Sequence, residues 1–230
     1  MKTGPESKRD WKRIAALPLL CLGGAALNVL TGNFFRDALG IPLFMDTLFT
    51  VAMTFYGGPL CGVLTGLLTN PIVNMVRFYG WADLLYAFCN AAAALVTALF
   101  IRLFPAELRF GAGTAVKTGE LETAPFNNRL RPLMNTLVVL LLLSFVMCIV
   151  ISILGGLTAV LINPFGGSSN SDLDIFRLAL LRKNLPSAAT EILSRIPINV
   201  IDRLLSVFGG YGAAALLWRS AGAAAIPGDR

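Results

Sequence analysis

Histidine is absent from the sequence. That alone removes Ser–His and Cys–His nucleophilic sites, and zinc held by imidazole, from consideration. Charge is scarce as well: Asp, Glu, Lys and Arg make up 14% of the 230 residues, against about 25% in soluble domains. Only four cysteines occur, Cys21, Cys61, Cys89 and Cys148, each inside an apolar run and none in CxxC spacing. They read as small apolar residues at helix contacts, not as a metal site or a disulfide framework. A nucleotide loop is missing too. "GAGTAVKT" (111–118) carries Val116 where a phosphate loop needs its second glycine, and no strand precedes it. No ATP-hydrolysing apparatus, catalytic group, cofactor or metal is therefore expected.

What is abundant is apolar: hydrophobic residues are 56% of the chain and the mean hydropathy is +0.71. A chain of this length has room for about six helical spans of some 20 residues each. The fold class expected is all-α, a polytopic integral membrane protein. Six segments can be drawn: Ile14 to about Thr31, Leu43–Tyr56, Pro59–Val76, Trp81–Phe104, about Leu133–Ile162, and a final region Ser187–Trp218. The last is long for one crossing, so Pro197 is expected to divide it, with the span at Pro197–Trp218 and Ser187–Ile196 as a short preceding helix. "LDIFRLALLRKN" (173–184) reads as an amphipathic surface helix. The first apolar run exceeds a secretory h-region, which points to an uncleaved span.

A net charge of +6 would suit nucleic acid only if gathered on an exposed face. Here most of it flanks the apolar runs, so it reads as topology. With the N-terminus inside, five Lys and Arg fall in residues 1–13, five in 102–132 and two in the tail, against five on the outer side. The domain plan is thus a basic cytoplasmic segment 1–13, a membrane domain 14–219, and a C-terminal tail 220–230. Within the membrane domain a cytoplasmic loop covers about 105–131 and an extracellular loop about 163–196. Both termini are expected in the cytoplasm and the protein in the cell membrane.

The polar residues inside the spans are not scattered. Asp46 opens the second span, Asn70 and Asn74 share a helix face at the outer end of the third, and Asn90 lies on the fourth. Glu191, Arg195, Asn199 and Asp202 advance by four, four and three, forming one stripe if their helix is continuous. A charge buried in a membrane bundle must pair or face water. These eight residues are therefore candidates to line a cavity open to the outside, although Asp46 and Asp202 could instead pair with Arg36, Arg77, Arg195 or Arg203, or cap helices. Amides offer both donor and acceptor to a ligand, and charged groups would orient it. Aromatic candidates at the rim are Phe78, Tyr79 and Trp81. Gly58, Gly62 and Gly66 form a GxxxGxxxG stripe that lets backbones approach closely, either within the bundle or against a partner subunit.

"IPLFMDTLFTVAMTFYGGPLCGVLTGLLTNPI" (41–72) resembles the second and third spans of substrate-binding S components of energy-coupling factor (ECF) transporters, and "IPINVIDRLLSVFGGYGAA" (196–214) looks like their last span. The resemblance implies a six-helix subunit that captures a vitamin-like micronutrient from outside and delivers it with a transmembrane coupling subunit and two ATPases. In several members an Ala-x-x-x-Ala stripe on the first span meets the coupling subunit, whereas here that span offers only "CLGGA", Cys21 to Ala25. Two other readings stay open: a ligand-sensing or structural membrane subunit without transport, and a membrane enzyme using Asp46 and Asp202.

Overall fold

The computed structural model describes residues 5–78, 80–110, 126–163, 176–180, 182–183 and 185–220, and among these there is no strand. The phosphate-loop-like stretch 111–118 and Tyr79 lie outside the described residues. Five helices carry the fold: α1 (Pro5–Asn33), α2 (Leu48–Arg77), α3 (Ala87–Leu103), α4 (Phe126–Ile162) and α5 (Ser187–Ser220). Among the described residues, five helical stretches are long and apolar enough to cross a membrane: Leu17–Ala38, Leu48–Arg77, Trp81–Leu103, Arg131–Ile162 and Ser187–Ser220. A wide π-turn (Phe34–Ala38) follows α1, a 3₁₀ turn (Trp81–Tyr86) leads into α3, and a single turn, Pro105–Leu108, follows it.

The outward surface is what a lipid environment requires. Leu19 is 72% exposed, Leu60 64%, Phe145 63% and Leu161 75%, whereas Asn28, Asn90, Asn199, Asp202 and Arg203 are all buried. In water this inversion would be ruinous, because apolar groups belong inside. In hydrocarbon it costs nothing, and every polar group must instead find its partner within the protein.

α2 is not a single rod. Gly58 sits at φ 86°, ψ −179°, a conformation that essentially only glycine adopts, and Pro59 follows as the first residue of a new helix. The amide nitrogen of Asn28 donates to both Thr50 Oγ1 (2.9 Å) and Thr69 Oγ1 (3.0 Å). One straight helix would hold those two threonines about 28 Å apart, so the chain doubles back at Gly58 into a tight helical hairpin. The expected boundary between the second and third segments is therefore a fold-back, but the first arm is shorter than expected. Helix begins at Leu48, not Leu43, and Leu48–Gly57 reaches only about 15 Å. Residues 40–46 enter the bundle without helical structure, with Leu43 and Met45 buried.

Packing places the α2 hairpin at the centre, against α1, α3 and α5, while α4 closes the bundle between α3 and α5. The glycine stripe is used up here. A side chain at Gly62 would run into Thr54 of the opposite arm and Ala94 of α3, and one at Gly66 would stand 2.8 Å from the Asn90 backbone. Both glycines are buried, so the structure spends them inside the bundle and leaves them no surface for a partner subunit. Gly58 is the turn itself. The small residues of the first span face inward too: Cys21 and Ala25 are fully buried.

Threonines also line the close approaches. Thr54, Thr65, Thr69 and Thr97 each donate to the carbonyl four residues earlier, which satisfies the hydroxyl without a partner helix.

α5 runs unbroken through Pro197, so the expected division there does not occur. Proline removes one backbone hydrogen bond, and packing along α4 and α2 holds the rest of the helix in line. The end of the bundle near the Gly58 turn is closed by aromatic stacking, with Phe110 against Phe55, Tyr211 and Trp218 at centroid distances of 6.2, 4.9 and 6.4 Å.

Two substitutions test this architecture by unfolding in detergent. Gly58→Ala should cost on the order of 1–3 kcal/mol through backbone strain, and Gly66→Ala a similar amount through overpacking. Gly23→Ala, whose new methyl would meet nothing within 4 Å, should leave the midpoint unchanged.

Candidate functional site

The unwound segment and α5 meet at a cluster of buried charge. Arg203, 2% exposed, donates to Asp202 Oδ2 and to Thr47 Oγ1, and Asp46 Oδ1 lies 3.6 Å from the same guanidinium. The other oxygen of Asp202 accepts the backbone N–H of Met45 at 2.8 Å. Met45 has φ 45°, a left-handed conformation that costs a residue with a side chain about 1 kcal/mol or more. The hydrogen bond to Asp202 holds it there. The aspartate in the greasy run thus has its answer: Asp46 is not on a lipid-facing helix but on a non-helical loop inside the protein, beside a buried arginine.

Above this cluster lies a cavity of about 150 Å³. Its wall is built from α1 (Asn28, Asn33), the π-turn (Arg36), the second arm of α2 (Asn70, Asn74, Arg77), α3 and its lead-in (Asp83, Tyr86, Asn90), α4 (Ile151, Gly155) and α5 (Arg195, Asn199, Arg203), with Asp46 and Phe44 from the unwound segment. Asn90, Arg195, Asn199 and Arg203 are buried, whereas Arg36, Asn74, Arg77 and Asp83 are only partly so. The cavity therefore runs from a buried floor to a partly exposed rim. At that rim Arg77 bridges Asn33 Oδ1 (2.7 and 2.8 Å) and Asp37 Oδ2 (2.7 Å), tying the end of α1 to the end of α2.

Six of the eight residues expected to line a site do so: Asp46, Asn70, Asn74, Asn90, Arg195 and Asn199. Asn90 donates to Asn70 Oδ1 (2.8 Å), which aligns the two amides, and Asn199 donates to Ser152 Oγ (2.9 Å). The other two sit behind the wall. Asp202 is fully buried against Met45 and Arg203, and Glu191 is ion-paired with Arg177, Oε1 to Nε 2.7 Å. Arg203, which sequence spacing sets about a third of a turn off the stripe, takes the place expected for Asp202, because the cavity wraps around that side of α5.

Of the four arginines offered as partners for Asp46, the structure brings Arg203 beside it. The aromatic residues expected at the mouth point away: Phe78 is 91% and Trp81 87% exposed.

Sequence reasoning missed Tyr86, whose ring stands 5.5 Å from the Arg195 guanidinium carbon, because the 3₁₀ turn rotates it inward out of α-helical register. It also missed Asn28. That residue lies in the cavity wall, yet its amide nitrogen serves Thr50 and Thr69 and its oxygen accepts the Phe49 N–H at 2.7 Å. Asn28 is consequently a clamp between α1 and both arms of the hairpin, and its lone position among Ala, Leu and Val was the signal available. Among the described residues no cluster of carboxylate or thiol groups could hold a metal ion.

No protein-family model matches the chain, and no curated protein or solved structure is detectably similar to it.

Removing one member of the charge cluster should be far worse than neutralising a pair. Arg203→Met strands Asp202 and should cost about 3–5 kcal/mol, whereas Arg203→Met with Asp202→Asn should recover much of that. Thermal unfolding in detergent reads both. Asn28→Ala should cost about 1–3 kcal/mol by orphaning the Phe49 amide and removing the donor to Thr50 and Thr69.

Proposed function

We propose that the protein is the substrate-capture subunit of an ECF-type importer, binding a vitamin-like micronutrient in the cavity and handing it over with a coupling subunit and two ATPases. The observation that carries this reading is a polar, partly exposed cavity at one end of a bundle whose other end is closed by aromatic packing. Such a shape binds from one side and offers no path through. A subunit of this kind needs an energised partner to complete transport.

In this reading the two arms of α2 count as separate passes, which makes six, with both termini in the cytoplasm. The Lys and Arg bias supports an inner position for residues 102–132, and on that orientation the cavity, at the opposite end of the bundle from Phe110, would face out. The sequence resemblance at 41–72 and 196–214 falls on the hairpin, the unwound segment and the α5 stripe, the parts that build the cavity. The exposed apolar faces of the helices suit lipid and a membrane partner alike.

Native mass spectrometry of the protein purified from its own host should show a retained small molecule, and purification in mild detergent should bring down two ATPases and a coupling subunit. A retained ligand with a kinase as companion would indicate sensing instead. Asp46→Asn and Asn199→Ala should each weaken binding of the retained ligand about tenfold; unchanged affinity in both would remove the cavity as the site. For topology, a cysteine at Arg182 should react with an impermeant maleimide on intact cells, and one at Arg131 only after permeabilisation.

A further inference from the structure

Two buried arginines face the cavity, and they are in different states. Arg203 is held by Asp202 and Thr47, with Asp46 near by, so that its charge is met by a hydrogen-bonded carboxylate although its Nε makes no hydrogen bond. Arg195 is just as deeply placed, its side chain 6% exposed, and its Nε too makes no hydrogen bond. The hydrogen bond it does make among the described residues goes to the neutral Tyr86 hydroxyl at 3.2 Å. A guanidinium carries five donors, and leaving them unused in a buried place is expensive. The carboxylate beside it does not solve the problem. Glu191 Oε2 stands 4.0 Å from Arg195, beyond hydrogen-bond reach, while Oε1 is engaged by Arg177 at 2.7 Å.

The surroundings keep Arg195 aimed at the space. The Tyr86 ring lies 5.5 Å from the guanidinium carbon, and its hydroxyl accepts from Nη2 at 3.2 Å. Gly155 lies alongside on α4, where even a methyl group would come only to 3.6 Å from the Arg195 Cδ and Nη1. Of the arginines in the wall, Arg77 is met by Asp37 and Arg203 by Asp202 and Asp46, whereas Arg195 has no carboxylate within hydrogen-bond reach.

We infer that the cavity receives a compact ligand bearing a carboxylate, and that Arg195 is the residue on which the carboxylate docks. A neutral carbonyl would satisfy one or two donors but leave the buried charge poorly compensated. A carboxylate meets the guanidinium fork with two parallel hydrogen bonds and cancels the charge. Size limits the remainder: a cavity of about 150 Å³ accommodates roughly one six-membered ring. Asn199, one turn further along α5, and the Asn70–Asn90 pair are placed to take the ring's other polar groups.

This inference rests on the cavity being the capture site, and the test separates the two. Benzoate, benzamide and benzylamine have nearly the same shape and differ in charge. Their binding to the purified full chain in detergent micelles can be followed by ligand-observed NMR at millimolar concentration. The wild type should prefer benzoate to benzamide by about tenfold or more and should bind benzylamine least. Arg195→Gln should reduce the preference to about twofold or less, and Arg195→Lys should keep part of it, since charge remains but the fork is lost.

Gly23→Ala, outside the cavity and with nothing within 4 Å of the new methyl, should retain the preference and so controls for general damage. Equal binding of the three probes, a preference that survives Arg195→Gln, or no binding of benzoate would each overturn the assignment. None of these would touch the capture reading, which stands or falls on the ligand and ATPases retained from the host.

Discussion

The structure depends on taking one guanidinium fully out of water. A buried arginine is tolerable only when its charge is met, and Arg203 achieves this with groups from two elements far apart in sequence. Asp202 lies on its own helix, but Thr47 and Asp46 must be brought from the chain before α2. Residues 40–46 therefore cannot continue as helix. They pass unwound into the bundle, Met45 adopts a left-handed backbone anchored by Asp202, and the first arm of α2 begins late. The space left where a straight helix would have filled the bundle is the floor of the cavity. Unwound backbone at membrane depth is stable only if it is enclosed by protein or lines a wet space, and here it does both.

The second device is the hairpin turned at Gly58. It brings Thr50 level with Thr69, so that one amide, Asn28, bonds to both arms. The clamp and the turn reinforce each other. Glycines at 62 and 66 let the hairpin and α3 approach until backbone nearly touches side chain and backbone. The glycine stripe that invites comparison with subunit interfaces is in this protein an internal seam. Whatever meets the bundle from outside does so on its leucine-rich surface.

The cavity gathers polar side chains that serve two different ends. Asn28 and Asp202 are fully engaged with protein partners, and Glu191 is ion-paired with Arg177; these support the wall or clamp the helices. Arg195, Asn199 and the Asn70–Asn90 pair retain hydrogen-bonding capacity on the cavity side. This division explains why the stripe Glu191, Arg195, Asn199 and Asp202 is real as a helix face, yet only its two middle members line the cavity together with Arg203.

Much was legible in the sequence because the bilayer leaves few choices. Lack of charge and long apolar runs pointed to an all-helical apolar bundle, which the described residues form. Polar residues in those runs marked most of the cavity wall, since nothing but a wet or paired environment keeps Asp46, Asn90 or Arg195 there. What the sequence could not decide were the distances between segments. Whether Pro197 breaks α5, whether Gly62 faces a partner or a neighbour, and whether Asp202 or Arg203 looks into the cavity all turn on packing across the bundle. Periodicity along one helix places a residue on a face; only the tertiary structure determines what that face meets.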